Sequence, residues 1–327
     1  MLRIGVYQYE HTAALFDGSV SIPGAAATIE TEPLVSDIFR RMVQGDFDVA
    51  ELGLTYFLRT FELDDPPFLA LPIFPNRNFR HSAIYVNTAS GIGKPEDLAG
   101  RRIGEFALFG HDAGVWAKGI LADEFGVTQD QCDWVDGGVN QPFPAFDWIP
   151  QPVPDGIGVR HAAPGQALGA MLDAGEIDAL ISVDVPRQLL DGSPRVRRLF
   201  PDYRTVEQDY YRRTRIFPMM HAIAVRKELA TQPDVVRAVY QAFTAAKDIT
   251  ANRYRDGALK QHMAVMTPWF SDLFAENRRL LGEDWWPYGF AANRDAVDTF
   301  LRYHHEQGLS KRQWRSEDIM APALLDT

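Results

Sequence analysis

Two histidines stand directly ahead of short apolar runs, His81 before Ser82-Ala83-Ile84-Tyr85-Val86 and His221 before Ala222-Ile223-Ala224-Val225. Histidine titrates near neutral pH, so each is a candidate for moving protons. Arg77 and Arg80 lie just upstream of His81, and a guanidinium grips an anion in a two-pronged fork. Glu51 lies near the end of the strand-like Phe47-Asp48-Val49-Ala50-Glu51-Leu52 and leads into Leu52-Gly53-Leu54-Thr55. That strand-to-helix turn offers amides and the Thr55 hydroxyl to a ligand anion. Ser182 and Asp184 hold the matching place after a second strand, while Tyr9, His11 and His111 fall on loops. Each has a plainer use as a buried backbone partner, a helix cap or a surface charge.

These residues are positioned by an αβ unit that occurs twice. In the first, Ser36 caps a helix through Ile38, Phe39, Met42 and Val43, Gly45 stops it, and the Phe47–Leu52 strand follows. In the second, Leu168, Met171 and Leu172 share a helical face, Gly175 stops the helix, and Ile177-Asp178-Ala179-Leu180-Ile181-Ser182 is the strand. Leu2–Tyr7 and Arg102-Ile103-Gly104 read as further strands, and Asp112 caps a helix that ends near Gly126. The Gly- and Pro-rich stretch from Asp136 to Pro164 reads as a long ordered loop. After Pro233 the periodicity is helical, and another helix begins at Asn293. The expected architecture is α/β with two lobes. Residues 1–85 and 220–327 form a discontinuous first lobe, 86–219 an inserted second lobe, and the two His-led strands hinges, with a ligand cleft between the lobes at strand carboxyl ends.

Composition narrows the function. Lys plus Arg total 33 against 44 Asp plus Glu, a net charge of −11, and there is no basic stripe of the kind that holds nucleic acid. No apolar run reaches membrane-spanning length, and the chain opens on the strand-like Leu2-Arg3-Ile4-Gly5-Val6, so a cytoplasmic protein is expected. The single cysteine, Cys132, excludes an internal disulfide and a thiolate cluster, and its acidic neighbours disfavour a thiolate nucleophile. Neither His-x-His nor His-Glu-x-x-His spacing occurs. His304 and His305 diverge by about 100° on a helix, so no metal ligands and no cofactor are assigned. A divalent ion stays open, because His11, His81, His111, His221 and Glu51 are free to converge in space.

The run Glu207-Gln208-Asp209-Tyr210-Tyr211-Arg212-Arg213-Thr214-Arg215-Ile216-Phe217-Pro218-Met219-Met220-His221 carries a more specific signal. With Leu71-Pro72-Ile73-Phe74-Pro75, Phe79-Arg80, Trp286-Pro287-Tyr288-Gly289 and Glu306-Gln307-Gly308-Leu309, it resembles the 4,5-dihydroxyphthalate decarboxylase family over nearly the whole chain. The resemblance implies a type II periplasmic-binding-protein-like fold and non-oxidative loss of CO2 from a hydroxylated aromatic dicarboxylate. Two segments depart from the family pattern, Gln8–Thr12, where His11 replaces an arginine, and Glu105–Asp112. Both fall on expected cleft loops and bear on which aromatic acid is used.

Such a carboxy-lyase reaction needs an acid to protonate the ring carbon, an acceptor at the hydroxyls, and cations for the carboxylates. With the resemblance, His221, His81 and Glu51 become the catalytic candidates. Arg80, Arg77, Tyr9, His11, Thr55, His111, Ser182 and Tyr211 become the substrate-binding ones, with Glu207 and Tyr211 supporting His221, and Trp285, Trp286 and Tyr288 available as an aromatic wall. The partner is a small aromatic carboxylate, and a homo-oligomer is open. The rivals are a solute binder that catalyses nothing, since fold does not fix function, and a lyase for a related aromatic acid.

Overall fold

Short apolar strands alternating with glycine-stopped helices build two sheets in the computed structural model, which describes residues 1–327. In chain order the strands are β1 (Leu2–Gly5), β2 (Ala27–Glu30), β3 (Val49–Gly53), β4 (Phe68–Leu71), β5 (Ile84–Asn87), β6 (Arg102–Phe106), β7 (Asp133–Gly137), β8 (Val159–His161), β9 (Ala179–Ile181), β10 (Val196–Arg198) and β11 (His221–Arg226). The longer helices are α1 (Val35–Val43), α2 (Leu54–Arg59), α3 (Asp112–Phe125), α4 (Leu168–Ala174), α5 (Tyr203–Thr214), α6 (Pro233–Ala258), α7 (Phe270–Leu281) and α8 (Arg294–Glu306).

The first sheet has the order β2-β1-β3-β11-β4, and the second, read from its other edge, β8-β7-β6-β9-β5-β10. In both, three parallel strands are followed by two that each run antiparallel to their neighbour, and β8 is an added edge strand. The repeated αβ unit thus reflects two lobes of one design. α1 leads into β3 and α4 into β9, but Ser36 sits inside the first turn of α1 and Leu34 is its N-cap.

The lobe boundary and the hinge differ from the sequence expectation. β5 lies wholly in the second sheet, so the first segment ends ahead of residue 84 and not at 85. The crossings between the lobes are irregular chain. Asn76–Asn78 runs antiparallel to Pro218–Met220 through the Asn78 N to Pro218 O and Met220 N to Asn76 O bonds, both backbone, and the Arg77–Met219 bridge. The C-terminal helix α8 belongs to neither lobe alone, whereas α6 packs on the first sheet. α8 packs on α3 so closely that a Cβ on Gly119 would stand 2.2 Å from the Tyr303 ring. A continuous apolar cluster runs from Ala50 and Leu52 in the first sheet through Trp116 and Phe300 to Ile103 and Ala179 in the second. No helix is long and apolar enough to cross a membrane.

Candidate active site

β3 and β11 place the first candidate pair. In their antiparallel register His221 lies opposite Gly53, and Glu51, two residues away, shares that face as a diagonal neighbour. Glu51 is fully buried. It accepts bonds from the Tyr7 amide at 3.0 Å and the Tyr9 hydroxyl at 2.7 Å, and His221 Nδ1 lies 2.6 Å from Oε1. Apart from the His221 imidazole, none of these partners is a cation. The Nε2 edge of His221 faces Asp112 Oδ2 at 3.9 Å, and the Phe39 ring edge packs on the imidazole.

The second lobe presents a similar arrangement. Glu105 on β6 is fully buried and accepts from Lys118 Nζ at 2.6 Å and the Gly110 amide at 2.9 Å, with His111 Nδ1 at 3.3 Å. Burial opposes the ionisation of Glu105, but Lys118 and His111 outweigh it and hold the carboxyl below its usual range. A Cβ on Gly114 would sit 1.8 Å from Glu105 Oε1, so glycine is what lets the carboxylate in. Nε2 of His111 is buried without a partner.

Asp112, the first residue of α3, joins the two halves. Its Oδ1 accepts the Thr55 amide at 2.5 Å, so the carboxylate sits at the N-terminus of α2 and not over its own helix. The anion expected at that turn is therefore one the chain supplies itself. Gly53 makes the approach feasible, because a Cβ there would lie 2.3 Å from Asp112 Oδ2. Burial pushes the Asp112 carboxyl up, against the pull of His221 and the Thr55 amide.

Between the lobes lies a cleft of about 650 Å³, ample for a single aromatic ring with its substituents. Phe39 and Tyr56 line it from the first lobe and Phe106, Phe143 and Phe146 from the second. The last two come from the Gly- and Pro-rich loop, which reaches the opposite lobe by stacking Trp148 on Tyr56 at 5.3 Å and is held by His161, whose Nε2 meets Phe143 O at 2.8 Å. Arg80 is the only arginine or lysine lining the cleft. It is 4% exposed, pairs with no carboxylate, and its Nε lacks any partner. Burial brings its guanidinium down to about 10, with Asp112 and Glu207 opposing. It remains a cation at neutral pH.

The structure thus brings His221, Glu51, Arg80 and His111 together, with Asp184 and the hinge residues Asn76 and Asn78 on the same cleft. Others are placed elsewhere. His81 points between α3 and α5, packs against Phe200 and Tyr210 and does not line the cleft, and burial brings it down to about 4. Arg77 is a structural clamp, spending its N–H groups on Phe217 O, Pro287 O and Asn293 Oδ1. The Thr55 hydroxyl donates to Gly110 O, and Ser182 Oγ accepts the Asp184 amide. Tyr211 packs against Phe79 with its hydroxyl toward Leu281 O. Glu207 accepts the Ser82 amide near Arg80 and does not reach His221.

Tyr9 acts behind the cleft, as a donor to Glu51. His11 stacks on Tyr9 and opens onto a separate pocket with Lys247 and Trp285, brought to about 4 by burial. The convergence of His11, His81, His111, His221 and Glu51 therefore does not form, and no three His, Cys, Asp or Glu side chains are grouped to hold a metal ion. Trp286 bonds Phe74 O away from the cleft, so the wall is built of Phe and Tyr instead. Burial raises the Cys132 thiol to about 11, where it is not a nucleophile. Glu105 and Asp112 were absent from the sequence candidates. The departure of Glu105–Asp112 from the family pattern was the available signal for both.

The two lobes and the hinge define a periplasmic-binding-protein-like fold, with two carboxylate-backed histidines facing one cleft. Over its whole length the architecture resembles the crystal structure of the periplasmic aliphatic sulphonate binding protein SsuA from Escherichia coli, with a TM-score of 0.53, 14% identity and coverage of 100% of this chain and 99% of that one. No family model matches the sequence. The chain is 35% identical over 329 residues to 4,5-dihydroxyphthalate decarboxylase from Comamonas testosteroni, covering 100% of this chain and 98% of the relative. It is 32% identical over 213 residues to the Pseudomonas putida protein of the same name, covering 64% and 81%. The chain belongs to the 4,5-dihydroxyphthalate decarboxylase family.

Proposed function

We propose that this protein converts 4,5-dihydroxyphthalate to protocatechuate and CO2 by protonating the ring carbon that bears the departing carboxylate. The observation that carries this reading is the His221–Glu51 pair at 2.6 Å, on the wall of a cleft whose one arginine or lysine, Arg80, has no carboxylate partner of its own. Arg80 takes a substrate carboxylate, and Asn76 and Asn78 offer amides to the oxygens around it. His221 in its imidazolium form donates from Nε2. Glu51, bound at Nδ1, stabilises the charge and fixes the ring.

Each carboxylate of this substrate has a hydroxyl para to it. As that hydroxyl gives up its proton, its electrons supply the ring carbon that accepts one, and the C–CO2 bond then breaks to restore aromaticity. Phe39, Tyr56, Phe106, Phe143 and Phe146 enclose the ring, in surroundings where electrostatic effects are stronger than in water. The reading includes chemistry by protein side chains without a required metal. It also includes a cytoplasmic setting and a small aromatic acid as the partner. Incubation of the purified protein with 4,5-dihydroxyphthalate, with and without a chelator, is expected to release protocatechuate at equal rates on chromatography. No product in either arm refutes the assigned substrate, and product lost only with the chelator refutes the metal-free chemistry.

A further inference from the structure

We propose that His111, oriented by Glu105, is the catalytic base of this reaction and removes the proton from the ring hydroxyl para to the departing carboxylate. The inference rests on the decarboxylase reading and assigns the half of the proton transfer that His221 leaves open.

The argument is an asymmetry between two similar pairs. Each lobe holds a fully buried strand carboxylate against the Nδ1 of a cleft-lining histidine, Glu51 against His221 and Glu105 against His111. Glu51 has only neutral donors besides its histidine, so its charge is available to an imidazolium. Glu105 is already neutralised by Lys118, buried at 2.6 Å and seated over the Phe109 ring. That carboxylate orients the His111 imidazole through Nδ1–H and, paired with Lys118, does not stand beside it as an uncompensated anion. His111 lines the cleft, and its Nε2, buried and without a partner, is the lone-pair acceptor assigned to the substrate hydroxyl. The charged groups facing His111 are Glu105 on β6, Asp112 on its own helix and Asp184 beyond β9, with His221 across the cleft and Lys118 behind Glu105.

The step balances. The hydroxyl O–H bond breaks as the proton bonds to His111 Nε2, and the oxygen pair becomes a carbonyl bond while the para carbon takes the proton from His221 Nε2. The C–CO2 bond then breaks, its electron pair returns through the ring to the oxygen, and the oxygen recovers its proton from His111. His221 is reprotonated from solvent, so one proton is consumed for each CO2 released.

The test uses the full chain with His111→Asn, and phthalate, which lacks both hydroxyls, as the inert binding probe. The expected result is phthalate affinity within about fivefold of wild type and kcat at neutral pH lower by about 10²- to 10⁴-fold. The deficit relative to wild type assayed at the same pH should shrink as pH rises and the substrate's own hydroxyl ionises, because a phenolate needs no base and any loss of the His221 imidazolium is shared by both proteins. The double variant Glu105→Gln with Lys118→Met, which leaves no buried cation unpaired, is expected to show a smaller loss of kcat with the same recovery at high pH. Wild-type kcat in His111→Asn, or a loss that high pH does not relieve, overturns the assignment while leaving the decarboxylase reading intact. Absence of turnover by the wild-type protein overturns both.

Discussion

Replacing Arg80 by Met separates a binding residue from a structural one, because the two roles predict opposite changes in stability. The guanidinium is 4% exposed, its Nε has no acceptor, and no carboxylate pairs with it. A buried donor left unsatisfied costs about 1–3 kcal/mol, and a buried charge adds to that. Part of the gain from removing it is offset, because Arg80 helps compensate Glu207 and Asp112. Burial already pushes the Glu207 carboxyl up, so it can take a proton when the cation is gone. The net expectation is a free energy of unfolding between unchanged and about 2 kcal/mol higher. Binding moves the other way. Removing one partner of a desolvated charge pair costs about 2–5 kcal/mol, or roughly 30- to 5,000-fold in affinity. Urea unfolding and calorimetric titration with phthalate measure both, with catechol as a neutral ligand whose affinity should hold. Arg77→Met is the contrast. Its guanidinium bonds Phe217 O and Pro287 O, each at 3.0 Å, so it should lose about 2–4 kcal/mol of stability. If Arg80→Met instead loses more than about 2 kcal/mol of stability and keeps its phthalate affinity, Arg80 belongs with Arg77 and the account of the cleft is wrong.

Further outcomes follow from the same geometry. Glu51→Gln removes a charge-assisted partner of about 1.5–3 kcal/mol from the imidazolium, so kcat should fall roughly 10- to 150-fold with phthalate affinity nearly unchanged; a loss under twofold in steady-state assays contradicts the pair. Gly53→Ala forces a methyl group to 2.3 Å from Asp112 Oδ2 and 2.8 Å from the Tyr56 ring. It should cost about 1–3 kcal/mol in urea unfolding and at least tenfold in kcat, and wild-type behaviour would mean that Asp112 does not sit there. His81 is held near 4 by burial, against an ordinary value of 6.5. The unfolded chain therefore binds the extra proton, and the stability His81 contributes is present above pH 6.5 and lost as pH falls toward 4. Between those limits wild type should lose about 1.4 kcal/mol per pH unit relative to His81→Phe, and a constant gap would place His81 in contact with solvent.

The sequence made the strand-borne part of the site legible and left the crossing contacts hidden. Glu51 and His221 could be found because each sits on a strand whose apolar pattern fixes its position, and their pairing follows from register. His81 has a similar local context, but it occupies a turn ahead of β5 that carries its side chain to the other side of the hinge. Arg77 and Arg80 look alike over four residues. Only partners at Phe217, Pro287 and Asn293, about 140 to 216 positions away, decide that one is consumed by the fold. Asp112 was misread for the same reason. An acidic residue opening a helix reads as its cap, while the amide it binds belongs to Thr55 in the other lobe. The repeated αβ unit was visible, and the matching strand order of the two sheets explains it. The hinge was not, because irregular backbone pairing at Asn76–Asn78 and Pro218–Met220 leaves no periodic signal.

The central claim is that His221 delivers a solvent-derived proton to the ring carbon that loses CO2. Turnover of 4,5-dihydroxyphthalate in D2O, with the product read by mass spectrometry and NMR, tests it directly when wild type is compared with His221→Gln. The account predicts protocatechuate carrying one deuterium, at the ring position ortho to the retained carboxylate and meta to the nearer hydroxyl, from wild type. His221→Gln should bind phthalate normally and form product at least a hundredfold more slowly. Product formed by His221→Gln at the wild-type rate, or wild-type product without deuterium at that carbon, would contradict it.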